Sequence, residues 1–175
     1  MKKNAHVPPE IKALVDYQNH NYSLYKKQDI HISSLTISTC MFPIYKMKPT
    51  QDILKINNIN IFDILVYSNE KLWFMMNGDM PHGIIIVNDI EPIRVGGENR
   101  SNDLYRIYQL IKHADAQLKD ISYFEFEGQG IFLVLASGDK AIYLSTGASA
   151  ILNLPAHQKI STDEIVSKIK ERIII

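Results

Sequence analysis

The chain has 175 residues, 46% of them hydrophobic and 22% charged, values of an ordinary globular protein and far from those of a disordered one. Nineteen Lys and Arg balance nineteen Asp and Glu, so the basic surplus of a protein that neutralises many phosphates is missing, and nucleic acid is disfavoured as the main partner. With Cys40 as the single cysteine, an intrachain disulfide and a multi-cysteine zinc site are excluded.

The first predicted element follows Pro8-Pro9. Ile11, Leu14 and Val15 recur at helical spacing, and the pattern weakens through Asp16 and Asn19, which predicts a helix near 9–20. "DIHISSLTIST" alternates at Ile30 and Ile32, then changes phase to Leu35 and Ile37. This is the pattern of a strand with a bulge at Ser33-Ser34. Pro43 and Pro49 predict a loop or sheet edge after it. Between Asp52 and Val95 a series of strands is expected: "ILKI", "INIFDILVY", "KLWFMM", "IIIVND" and "IEPIRV", with turn residues between them. The unbroken run Ile84–Val87 does not alternate, so it should be covered on both faces.

A second helix is expected over 102–118, with Leu104, Ile107, Tyr108, Ile111, Ala114 and Leu118 as its apolar stripe and Ser101 or Asn102 as its N-cap. Three strands follow, "ISYFEFE", "IFLVLA" and "AIYLST", joined by the turns "GQG" and "SGDK". A third helix, 162–173, carries a capping box made by Ser161 and Glu164 and a hydrophobic staple made by Ile160 and Ile165. The alternation of helices and strands, with no repeat or linker, indicates one α+β domain over 1–175, its helices packed on antiparallel sheet. No apolar run reaches membrane-spanning length, and "MKKNAHVPPEIK" lacks the apolar core of a signal peptide, so a soluble cytoplasmic protein is expected.

Motifs that carry chemistry are sparse. "GGENRSND" precedes a helix, yet it fits neither the dinucleotide-binding nor the phosphate-loop spacing, and Glu98 and Asp103 would repel an anion there. Asp79 and His82 in "NGDMPHG" form a candidate acid–base pair with no nucleophile beside them, in a segment that turn chemistry alone explains. Glu125 and Glu127, two apart on an expected strand, would share one face and form a candidate carboxylate pair. Cys40 has no base beside it in sequence, although His31 would approach if the strand folded back. The histidines are scattered, so no metal ligand set and no cofactor site is expected.

The charge is unevenly distributed along the chain. Residues 1–60 carry eight basic against four acidic residues, 61–130 six against eleven, and 131–175 five against four. An acidic middle without a catalytic constellation suggests a non-catalytic protein-binding domain, of the kind a bacterial immunity (antitoxin-like) protein uses to mask a basic toxin or nuclease. Glu91, Glu98, Asp103, Glu125 and Glu127 are the expected partner-binding residues. Two further readings stand beside it. One is a small hydrolase-type enzyme using dispersed His, Asp and Glu residues. The other is a self-assembling structural subunit pairing through an open strand, with the apolar tail "RIII" as a second contact.

Overall fold

The computed structural model describes residues 6–25, 34–57, 60–114 and 120–175, with backbone only for 22–25. His31, the Asp29–Ser33 part of the expected first strand, and Leu118 of the expected second helix lie outside the described residues. The elements in chain order are α1 (Pro9–Tyr25), β1 (Leu35–Met47), α2 (Thr50–Lys55), α3 (Ile61–Ile64), β2 (Leu65–Asn77), β3 (Met80–Val87), β4 (Pro92–Val95), α4 (Glu98–Ala114), β5 (Asp120–Phe126), β6 (Gln129–Ala136), β7 (Asp139–Leu144), α5 (Thr146–Leu152), β8 (Ile160–Ser161) and α6 (Thr162–Ile174). The fold is α+β, with the described residues forming an eight-stranded sheet in the order β4-β3-β2-β1-β5-β6-β7-β8 and helices packed on it. Its described registers are antiparallel except where β1 runs parallel to β5, with Ile44 opposite Tyr123. A parallel neighbour requires a crossover, and β2, β3, β4 and α4 supply the intervening chain.

By contact density the chain divides into two compact units, residues 1–41 with 69–102, and residues 42–68 with 103–175. In the first unit, Ala13 and Leu14 of α1 pack with Leu35, Met75, Ile85 and Val87. Ile84 to Val87 are all buried, as the run without alternation predicts. The cover on the Ile85 and Val87 face comes from α1. In the second unit, the alternate residues Phe124, Phe126, Ile131, Leu133, Ile142 and Leu144 turn to Ile165, Val166 and Ile169 of α6 and to Ile53, Ile61 and Ile64. The other face of β5 and β6 holds Tyr123 and Phe132. Phe42 meets the rings of Phe132 and Tyr108 edge to face, at centroid distances of 5.1 and 5.3 Å.

The sequence expectations for "ILKI" and the start of "INIFDILVY" are corrected. Residues 50–55 and 61–64 are helical, the first opening on backbone bonds to Pro49 and the second on a side-chain cap, despite the β-branched composition. The Pro49 carbonyl accepts from the Asp52 and Ile53 amides, and the Asn60 side chain accepts from Phe62 N–H. The break expected at Pro43 is corrected as well, since β1 runs through it to Met47. The helix α1 extends past residue 20 to Tyr25. By contrast α6 begins as the sequence predicts. Ser161 Oγ accepts from the Glu164 amide, and Ile160 and Ile165 are buried in one cluster.

The helix expected over 102–118 starts earlier, at Glu98. Ser101 N–H donates to the Gly97 carbonyl (3.2 Å), so the helical ladder is already running at Ser101. The Ser101 hydroxyl, fully buried, donates back to the Glu98 carbonyl (2.8 Å) instead of capping. Asp103 therefore sits in the second turn, and the first-turn carboxylate is Glu98. The stripe holds at its centre, with Leu104, Ile107 and Ile111 all buried.

Candidate binding surfaces and polar clusters

Of the expected partner-binding residues, Glu91 and Glu98 belong to the first unit and Asp103, Glu125 and Glu127 to the second. Each group has its own surroundings. Glu91 lies in the turn between β3 and β4 and Glu98 opens α4, so the two bracket β4, and both are exposed. Between and beside them are Ile90, Ile93 and Val95, exposed by 79%, 48% and 36%. Val95 faces Ile85 across the β3–β4 ladder, and a register shift lies between Ile86 and Val87. No described strand pairs with the far side of β4.

Asp103 is not a free surface carboxylate. Its Oδ2 accepts from Thr146 N–H (2.8 Å) and its Oδ1 from the Thr146 hydroxyl (2.9 Å). His157 Nε2 lies 2.5 Å from the same Oδ1. The side chains of Asp103 and His157 are only 22% and 17% exposed. Thr146 is the first residue of α5, where the helix N-terminus favours a carboxylate. His157 reaches the carboxylate from a loop in which its own φ is 56° and its N–H donates to the Leu144 carbonyl. A nucleophilic relay would need the imidazole to bridge hydroxyl and carboxylate through its two nitrogens. Here one nitrogen and the hydroxyl converge on a single carboxylate oxygen, 3.5 Å from each other. The arrangement pins α4, α5 and the loop after α5 together.

The expectation that Glu125 and Glu127 share a strand face is corrected. The strand β5 ends at Phe126, and the β5–β6 turn is Glu127-Gly128, not "GQG". Both turn residues have positive φ, 48° and 74°, which matches the twist of the flanking strands in a two-residue hairpin. Glu127 thus leaves the pleat and pairs with Arg172 Nε at 3.3 Å. Glu125 stays in the strand, half-buried, accepting from the Tyr123 hydroxyl at 2.9 Å.

Asp79 and His82 are also separated in kind. Asp79 is an exposed turn residue, while Met80 to Gly83 continue into β3. The buried His82 ring contacts Tyr17, with its Nε2 3.3 Å from the hydroxyl and the rings edge to face. Cys40 is half-buried in β1. The apolar tail is divided: Ile173 packs against the α6 cluster, while Ile174 and Ile175 are 70% and 99% exposed. Among the described residues no group of three or more His, Cys, Asp or Glu side chains converges as a metal site, and no helix is long and apolar enough to cross a membrane.

A depression of about 190 Å³ is lined by Val134, Ala136, Ala141, Tyr143 and Ala114, together with Asp139 and Lys159. These two side chains form an ion pair. The hydrogen bond from Lys159, with its charge, holds the Asp139 carboxyl below its ordinary value, and Asp139 in turn raises Lys159. Sequence reasoning missed both this pair and the Asp103 pin, because their partners are 20 and 43 to 54 residues apart. No protein-family model, curated protein or solved structure matches this chain.

Proposed function

We propose that this chain is a non-catalytic protein-binding domain that masks a basic partner. A toxin or nuclease domain is the partner class, and a bacterial cytoplasmic immunity role is the context. The observation that carries this reading is the margin of the first unit at β4. Ile93 and Val95 are exposed there between the exposed carboxylates Glu91 and Glu98, and Ile90 is exposed beside Glu91. Apolar side chains within a polar rim have the anatomy of a protein interface. Burying them contributes roughly 25 cal/mol per Å² of apolar area, and the acidic rim steers a basic partner into place. Glu125, Glu127 and Asp103 are engaged within their own unit, so the weight of the acidic contribution moves to Glu91 and Glu98.

The test is co-purification of the tagged full chain with the product of the neighbouring gene, and with native lysate, for wild type and for Glu91→Lys with Glu98→Lys. A stoichiometric basic protein held by wild type, and held more weakly with a flatter salt dependence by the variant, is the expected result. No stoichiometric partner for the wild type, or equal retention by both proteins, would overturn the reading.

A further inference from the structure

Among the described residues the β4 margin also has an open backbone edge. Gly96 N–H donates to the Ile84 carbonyl at 2.7 Å, and Arg94 sits opposite Ile86 in the antiparallel ladder. Residues of a strand alternate in the direction of their backbone groups, so Gly96 and Arg94 point toward β3 and Val95 points away from it. The N–H and carbonyl of Val95 therefore face outward. So does the carbonyl of Ile93, which lies in the same trans peptide as the inward Arg94 N–H. Pro92 and the register shift beside it limit the open row to these groups. On the α1 side of the same strand, Val95 adds an exposed apolar side chain.

Resting on the proposed function, we infer that β4 is a strand-addition site for an extended, basic segment of the partner protein. Backbone pairing to Val95 and Ile93 gives the segment its direction and register. Its Lys or Arg residues near either end meet Glu91 and Glu98, which stand beyond the two ends of β4. An apolar or β-branched residue of the segment covers Val95. Arg94 lies on the opposite pleat from Val95, and Ile93 is the extra residue at the register shift. The chemistry recognised is an extended main chain with flanking cations, not a particular side-chain motif.

The probe is an acetylated, amidated peptide, Lys-Val-Thr-Val-Thr-Lys, titrated into the isotopically labelled full chain and followed by amide NMR and hydrogen exchange. Shifts centred on Val95, with its exchange slowed about tenfold at saturation, are the expected result. The same peptide with Glu ends, or with alternate amides N-methylated, should produce neither. Val95→Pro removes an outward N–H and no bond to β3, so it should abolish the response while the circular dichroism spectrum is retained. If that variant unfolds, Glu91→Lys with Glu98→Lys serves instead and should weaken the titration. Absent shifts, or shifts centred elsewhere, overturn the inference. Concentration-dependent protection of Val95 without peptide also overturns it, because the edge is then closed by a second copy. A recovered partner that leaves Val95 unprotected defeats the strand-addition site alone. A peptide response without any recoverable partner defeats the masking role alone.

Discussion

Asp103→Ala should cost more stability than alanine at any of the other four acidic positions. The carboxylate accepts from Thr146 N–H, the Thr146 hydroxyl and His157. A hydrogen bond to a charged group contributes about 1.5–3 kcal/mol net. The three share one acceptor group, and Thr146 is exposed enough for water to replace part of what is lost, so they do not add in full. The total is about 2–3 kcal/mol. For a chain of this size that corresponds to a fall in Tm of roughly 4–12 °C. Asp103→Asn keeps one acceptor oxygen and should lose about half as much. Thermal melts near neutral pH measure both. A double-mutant cycle with His157→Gln should return a coupling of about 0.5–3 kcal/mol. A melting temperature within about 1 °C of wild type for Asp103→Ala, with no coupling to His157, would refute the pin between α4, α5 and the following loop.

Gly130→Ala places a methyl group 2.8 Å from both Leu104 Cδ2 and the Tyr123 hydroxyl, so calorimetry should show a loss of about 1–3 kcal/mol. Gly128→Ala forces a side chain onto a residue with φ of 74° and should cost about 1–2 kcal/mol in chemical denaturation. Glu91→Lys alone should leave stability within about 0.5 kcal/mol of wild type, separating binding from folding in the same melts, while adding Glu98→Lys should cost about 0.5–2 kcal/mol, because Glu98 is the first-turn carboxylate of α4. For the Asp139–Lys159 pair the pH dependence has two limbs. The Asp139 carboxyl is depressed from 3.8, so its small stabilisation is present above that value and lost as pH falls through the folded-state value. Lys159 is raised from 10.5, so its contribution is present below that value and lost as pH rises through the folded-state value. Melts of Asp139→Asn against wild type should differ most between those limits at low salt and converge in strong acid or at high salt.

Sequence alone determined the features whose causes lie within a few residues. The Ser161 N-cap, which accepts from the Glu164 amide, and the staple of Ile160 and Ile165 are local, and they were legible because an N-cap side chain bonds an amide three residues on. The buried run Ile84–Val87 and the central stripe of α4 were legible because burial follows the period of the element. Period failed where elements were short. In "ILKI" and "INIF" a few apolar residues fit a strand or a single helical turn equally well, and the structure forms helical turns there, the second capped by the Asn60 side chain. The β5–β6 turn moved by one position because Glu127 accepted a left-handed backbone, which took it off the strand face it was expected to share with Glu125. The tertiary structure alone decided which carboxylates are engaged. Asp103 with Thr146 and His157, and Asp139 with Lys159, are brought together by β5, β6, β7 and the loop after α5, across separations that no local pattern encodes. It also left β4 outermost, because strand order is set by how the sheet closes over its apolar faces and not by order in the chain. The exposed Glu91 and Glu98 thereby acquired an open strand between them.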